Sequence, residues 1–351
     1  MSSLPIRNTP NSILMVGTFF SNVPGTCSVS EEMAERLTSC GWAVFTTSAR
    51  RTRLTRLMDM VATTWSKRGN YRLAHVSVYS GSAFVWAEVV CWVLRRIGRP
   101  YVLTLHGGNL PAFSRNRPAR VRRLLRSASS VTTPSAYLLE QMRSYRPDLQ
   151  LVYNGVDLAA CEFSLRKAPR PKLIWVRAFH NIYNPVLAAE VVARLAVEFP
   201  GIELIMLGPD KQDGSLELFR QAVLRLGLED RVSIIGGVPK KDVPGWLKRA
   251  DVFLNTSDVD NAPVSVLEAF ACGLVVVSTR VGGIPYLLKD GQNGLMVPPG
   301  DADSMTKAVR RVLTEPGLAE TLSRNARSDA ASFDWNVVMS QWQHLLTSTV
   351  S

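Results

Sequence analysis

The stretch LIWVRAFHNIYNPVLAAEVVARLAVEFPGIELIMLG, Leu173–Gly208, decides the fold. It opens with a short apolar run, Leu173–Val176, which has the length and composition of a buried strand. Asn184 and Pro185 then read as the N-cap and first residue of a helix, because Asn accepts from orphan N–H groups and proline tolerates the first helical position. Apolar residues recur at helical spacing from Pro185 to Glu198, and Glu203–Leu207 is a second buried strand. Strand, helix and strand in so short a span predict two parallel strands joined by a crossover helix.

The same alternation extends in both directions. Toward the C-terminus it predicts strands Val232–Ile235, Val252–Asn255 and Val275–Ser278, with helices Leu216–Leu226, Asp242–Arg249 and Val266–Cys272. Toward the N-terminus it predicts strands Ser12–Gly17, Ala43–Thr47, His75–Tyr79, Tyr101–Leu105, Ser130–Thr133 and Leu149–Tyr153. Helices Ser30–Ser39, Arg117–Ala128 and Ser135–Arg143 lie among them, and Ser28 with Glu31 is spaced for a capping box. Residues Leu158–Lys172 carry two prolines and a basic cluster and read as a linker. Two doubly wound α/β halves follow, and ligands of such sheets bind outside the carboxyl ends of the strands.

Composition narrows the function. At 46% hydrophobic and 20% charged residues the chain is an ordinary globular one. Five scattered cysteines without a C-x-x-C pair fit neither a disulfide scaffold nor a zinc ribbon, and four histidines without ligand spacing predict no metal site. The first residues, MSSLPIRNTPNS, lack an apolar segment, and Ser82–Leu94 contains Glu88 and is too short to span a bilayer. A cytoplasmic protein is expected.

Charge is distributed unevenly. Residues 1–160 contain 20 Lys+Arg and 8 Asp+Glu, a net +12, whereas residues 161–351 contain 21 of each, a net zero. Arginines at 50, 51, 53 and 56, at 95, 96 and 99, and from 115 to 126 supply most of the excess. A basic half attracts anions such as a phospholipid surface or a phosphate-bearing acceptor, or serves as a solvated face that aids solubility. No nucleic-acid-binding motif accompanies the charge, so no nucleic-acid partner is expected.

Individual motifs leave alternatives open. The loop Gly17–Ser28 is rich in small residues and precedes a helix, which suits an anion or a plain turn. His106-Gly107-Gly108 follows a strand, where ligands dock. Asn154-Gly155 is a turn signal. Arg177 at the end of LIWV supplies a fixed cation for a phosphate or stands as a surface arginine. Glu268 either closes a capping box with Ser265 or accepts hydrogen bonds from sugar hydroxyls in a cleft.

Taken in order, LTLHGGN (103–109), VYNGVDL (152–158), DNAPVSVLEAFACGLVVVSTRVGGIPYLL (260–288) and DGQNGLMVPPGDADSMTKAV (290–309) resemble the retaining glycosyltransferases of family 4. The resemblance implies a GT-B fold, two Rossmann-like domains facing across a cleft. It implies an acceptor domain at 1–160, a linker at 161–172, a nucleotide-sugar domain at 173–335 and a final helix, 336–351, crossing back to the first domain. It assigns Glu268 to ribose hydroxyls, Asp260 to the transferred sugar, and the backbone of Asn261, Ala262, Pro263 and Val264 to sugar and pyrophosphate. Arg177 becomes the diphosphate-binding cation, Val238 a backbone contact to the base, His106 a residue lining the sugar site, and Gly25 part of a loop beside the diphosphate.

The implied partners are a nucleotide diphosphate sugar donor and a glycan or lipid-linked acceptor, with no cofactor and no metal; the basic N-terminal half adds an anionic membrane surface, at the inner face of the plasma membrane, as an expected partner. Three departures stand out. Asp260 replaces a glutamate, Tyr183 or Asn184 replaces a lysine, and Tyr286 replaces a glutamate in GGIPY. A nucleotide-sugar epimerase and a non-catalytic sugar-nucleotide scaffold remain alternatives on the same architecture.

Overall fold

The computed structural model describes residues 11–19, 28–50 and 52–350, apart from the side chain of residue 350. These form two compact units: residues 11–19, 28–153 and 336–350 make the first, and Asn154–Trp335 the second.

The first unit runs β1 (Ser12–Val16), α1 (Val29–Ser39), β2 (Ala43–Thr47), α2 (Arg53–Ser66), β3 (Leu73–Val78), α3 (Ser82–Arg96), β4 (Tyr101–Leu105), α4 (Leu110–Asn116), α5 (Pro118–Arg126), β5 (Ser130–Thr133), α6 (Ala136–Met142) and β6 (Gln150–Leu151). Its six strands are parallel, in the order β2-β1-β3-β4-β5-β6. Strands β1 and β4 are buried along their whole length, as expected of a sheet covered on both faces. The Ser28–Glu31 capping box forms: the Glu31 N–H donates to Ser28 Oγ at 3.2 Å and the Ser28 N–H to Glu31 Oε2 at 2.6 Å.

The expected helix Arg117–Ala128 forms as α5, and α4 ahead of it was not expected. The chain breaks at Arg117 (φ −140°, ψ 52°) because that residue precedes Pro118, whose ring disfavours helical geometry in its predecessor. The expected strand Leu149–Tyr153 pairs only over Gln150–Leu151.

The second unit runs β7 (Lys172–Val176), α7 (Pro185–Leu195), β8 (Glu203–Leu207), α8 (Ser215–Arg225), β9 (Val232–Gly236), α9 (Val243–Leu247), β10 (Val252–Asn255), α10 (Val264–Cys272), β11 (Val275–Thr279), α11 (Ile284–Leu287), β12 (Leu295–Val297), α12 (Ala302–Thr314) and α13 (Leu318–Ala330). The sheet order is β12-β11-β10-β7-β8-β9, all parallel. Its core centres on Trp175, Phe179, Phe219 and the aliphatic faces of α7 and α12. The last helix, α14 (Trp335–Val350), starts in this unit, and its remainder belongs to the first.

The linker stretch is held against the second unit. Cys161 is buried, and the buried Arg166 and the exposed Arg170 both pair with Asp251, at 2.9 and 2.8 Å. The break between the compact units falls between Tyr153 and Asn154, ahead of the composition shift at 161.

Candidate functional site

In a doubly wound sheet the strand order reverses at one point, where the flanking loops part and leave a crevice. In the second unit the chain goes from β7 outward to β8 and β9, then returns to β10 on the other side of β7. The reversal therefore lies between β7 and β10. Arg177 follows β7, and Thr256, Ser257 and Asp260 follow β10, so the cation and the carboxylate chosen from sequence flank this point.

They form an ion pair, Arg177 Nη2 with Asp260 Oδ2. Asp260 also accepts from Ser257 Oγ at 3.2 Å and, through Oδ1, from the Asn261 N–H at 2.9 Å. A carboxylate offers about four lone-pair positions, so Asp260 retains capacity for one more donor. The Arg177 guanidinium lies 4.9 Å from the Tyr183 ring centroid, within cation–π range. His180 is engaged elsewhere: its Nδ1 lies 3.2 Å from the Ile182 nitrogen and 3.6 Å from Asp213.

Glu268 lies on α10, with its side chain only 7% exposed, and its Oε1 is 2.5 Å from Lys240 Nζ. The capping-box alternative is not realised. Helix α10 starts at Val264 with Pro263 at the N-cap, which puts Ser265 inside the first turn. Lys240 was not singled out from sequence, although it directly follows Val238-Pro239 at the end of β9. Two carboxylates this buried need compensating charge, and each has one cation.

Three buried polar atoms here have no hydrogen-bond partner among the described residues: Arg177 Nε, Asn261 Oδ1 and Ser265 Oγ. Buried polar groups are nearly always paired, so a donor (Arg177 Nε), an acceptor (Asn261 Oδ1) and a hydroxyl that does either (Ser265 Oγ), left unpaired in this loop and helix start, suit a ligand with both anionic oxygens and hydroxyls. The loop Asn261–Val264 is held from two sides. Asn154 Nδ2 donates to the Ala262 carbonyl at 3.0 Å, and the Gly283 N–H donates to the Asp260 carbonyl at 3.2 Å. Asn154 read as a turn residue in sequence, and Gly155 is required beside it because a Cβ there would stand 2.3 Å from the Trp335 ring. Replacing Asn154 by alanine should loosen the loop and weaken ligand binding severalfold with little change in melting temperature; an unaltered affinity by calorimetry would contradict that role.

In the first unit His106 directly follows β4, its N–H donating to the Val78 carbonyl at 2.8 Å. Its ring stacks on Tyr79 with centroids 5.1 Å apart, and burial pushes its imidazole down to about 4. Gly17, Ser77, Tyr79 and Trp86 line a small recess at the carboxyl ends of β1 and β3, where this sheet's order also reverses. Gly25 lies outside the described residues. Among the described residues no three His, Cys, Asp or Glu side chains gather as metal ligands would.

His75 in β3 is fully buried, 2.7 Å from Thr104 Oγ1, and burial pushes its imidazole down to about 3. An unfolded histidine takes up a proton near pH 6.5, so the stability contributed by neutral His75 is complete above that value and is lost as the pH falls toward 3. The slope is at most about 1.4 kcal/mol per pH unit. Urea midpoints should fall between pH 7 and pH 5, and His75→Asn should flatten the fall; equal slopes would show that another group causes it.

Comparison with known proteins adds the family context. The family model described as Glycosyl transferases group 1 matches residues 162–329, and that described as Glycosyltransferase Family 4 matches residues 41–160. A D-inositol 3-phosphate glycosyltransferase of Saccharomonospora viridis is 31% identical over 220 residues, 58% of this chain and 51% of that protein. The chain spans about half, or less, of the length of the first curated relatives it matches. Among solved structures, sucrose-phosphate synthase from Thermosynechococcus elongatus superposes with a TM-score of 0.80 at 19% identity, covering 96% of this chain and 98% of that one. Anabaena HepE in complex with UDP and glucose gives 0.75 at 18% identity, covering 96% and 100%.

Proposed function

Because the chain belongs to glycosyltransferase family 4 and has the GT-B fold, we propose that it transfers a sugar from a nucleoside diphosphate sugar to an acceptor hydroxyl, with retention at the anomeric carbon. The observation that carries the donor half of this proposal is the group of unpaired buried atoms, Arg177 Nε, Asn261 Oδ1 and Ser265 Oγ, at the point where the second sheet reverses. The solved HepE complex with UDP and glucose supports the same ligand class.

In this chemistry the bond from the anomeric carbon to the phosphate oxygen breaks, and the electron pair leaves with the diphosphate. A bond from the acceptor oxygen forms on the same face, and the acceptor proton passes to the leaving phosphate. Negative charge grows on the diphosphate, and a preorganised cation lowers the barrier by stabilising it. Arg177 fills that role with its unpaired Nε, and the first amides of α10 add the partial positive charge of a helix start. Asp260 holds Arg177 and the Asn261 amide in place and offers its remaining lone pair to a sugar hydroxyl. Glu268 accepts from the ribose hydroxyls, and Lys240, released from it, becomes a second cation for the diphosphate. In this reading the Val238 backbone meets the base and His106 lines the sugar site.

The acceptor class we infer is phosphate-bearing or lipid-linked, because the net +12 lies wholly in residues 1–160. The name of the Saccharomonospora relative, which includes inositol 3-phosphate, points the same way.

A thermal-shift screen against nucleoside diphosphate sugars tests the donor site: a ligand at a hundred times its dissociation constant adds about 2.7 kcal/mol. Glu268→Gln should weaken the best donor about tenfold, as expected when a charged hydrogen bond of about 1.5–3 kcal/mol becomes a neutral one. No shift with any donor would refute the proposal. Isomerisation of donor in the absence of acceptor would favour the epimerase instead.

A further inference from the structure

Helices α2 and α3 lie side by side in the first unit. Their inner faces are buried through Met60 and Thr64 on α2 and Phe84, Ala87, Val90, Cys91 and Leu94 on α3. The outer face of a surface helix ordinarily carries charged and polar residues. Here α2 exposes Leu54 (69%), Met58 (56%) and Trp65 (52%), and α3 exposes Val85 (39%) and Trp92 (51%). The spacings of four and seven residues place each set on one stripe, so two apolar stripes run along neighbouring helices.

Arginines border both stripes. Arg68 lies 4.8 Å from the Trp65 ring centroid and Arg96 lies 5.1 Å from that of Trp92. Arg99 donates from Nε and Nη2 to the Arg68 carbonyl at 3.1 and 2.7 Å, which ties the C-terminal ends of the two helices together. Residues 52–99 contain eight Lys+Arg and two Asp+Glu, a net +6. Of the two acids, Glu88 is bound by Arg120 at 2.7 Å.

We propose that this α2–α3 face docks on an anionic phospholipid bilayer, with Trp65 and Trp92 at headgroup depth and the neighbouring arginines on lipid phosphates. Tryptophan favours that depth because its ring is apolar and its N–H is polar. The arginine fork binds phosphate oxygens and stacks on the indole at the same time. Anionic leaflets attract such basic surfaces. Self-association through the same face would bring two +6 rims together, which charge repulsion opposes. Among the described residues no helix is long and apolar enough to cross a membrane, so the contact is with the surface. The inference rests on the reading that the basic half meets an anionic surface, and it locates that contact.

The test is sedimentation with vesicles of phosphatidylcholine alone and of phosphatidylcholine mixed with phosphatidylglycerol, comparing the full chain with Trp65→Ser/Trp92→Ser. The parent should bind the mixed vesicles and lose binding at high salt. Brominated acyl chains should quench part of its tryptophan emission. The variant should melt at the parent's temperature, bind at least tenfold more weakly and lose that quenching. Donor-induced thermal shifts should be identical in both proteins, which separates this inference from the donor site. Equal vesicle binding by both proteins would overturn it and leave charge-driven adsorption elsewhere on the basic half. Equal binding to neutral vesicles, or a parent dimer that dissociates in the variant, would also overturn it.

Discussion

Arg177→Ala should lower kcat/KM by about a hundredfold or more. Removing a single preorganised charge-stabilising donor typically costs about 2.7–4 kcal/mol of transition-state stabilisation. The same change removes the cation facing Asp260, whose side chain is 7% exposed. Breaking one partner out of a buried pair costs about 3–5 kcal/mol, so the melting temperature should also drop. Three companion variants separate these effects. Arg177→Lys keeps the charge but loses the planar fork and the unpaired Nε, so it should melt near the parent and still lose turnover. Asp260→Asn keeps the arginine while weakening its anchor. The double variant Arg177→Ala/Asp260→Asn should recover stability without recovering activity. If Arg177→Ala folds and turns over like the parent, the leaving-group assignment is wrong.

Gly282→Ala should disable the donor site from outside it. Gly282 has φ +47°, and a Cβ there would stand 1.9 Å from the Asp260 carbonyl oxygen. A left-handed non-glycine residue costs about 1–2 kcal/mol before any clash. Relief of the clash must displace the peptide that carries Asp260 and Asn261, so donor affinity should fall at least tenfold and the melting temperature by several degrees. Gly201→Ala is the control: its Cβ would meet nothing within 4 Å, and both properties should stay at the parent's values.

The sequence displayed the fold wherever one residue type dictates one geometry. Apolar runs such as LIWV and YVLTL can only be buried strands in a chain of this pattern, and both are. Less visible was whatever depends on neighbours distant in sequence. Helix α4 went unread, although Pro118 disfavours helical geometry at Arg117 and so divides it from α5. The linker composition of Leu158–Lys172 concealed Arg166 and Arg170, which Asp251 holds from across the unit.

The site shows the same division. Arg177 directly follows a strand, Asp260 lies in the loop after another and Glu268 on the helix that follows, so their positions come from the strand-helix pattern. Lys240 meets Glu268 because α9, which closely follows it in the chain, packs on α10, and Asn154 reaches Ala262 across 108 residues of chain. The three unpaired atoms at the sheet's reversal could not be read from sequence at all, since being unpaired is a property of the packed state.

The most direct measurement is amide hydrogen exchange of the full chain with and without a saturating nucleoside diphosphate. Protection should appear in peptides spanning residues 177–184, 236–241 and 260–269. Binding that leaves those three segments unprotected, with protection elsewhere, would contradict a diphosphate site at the reversal of the second sheet.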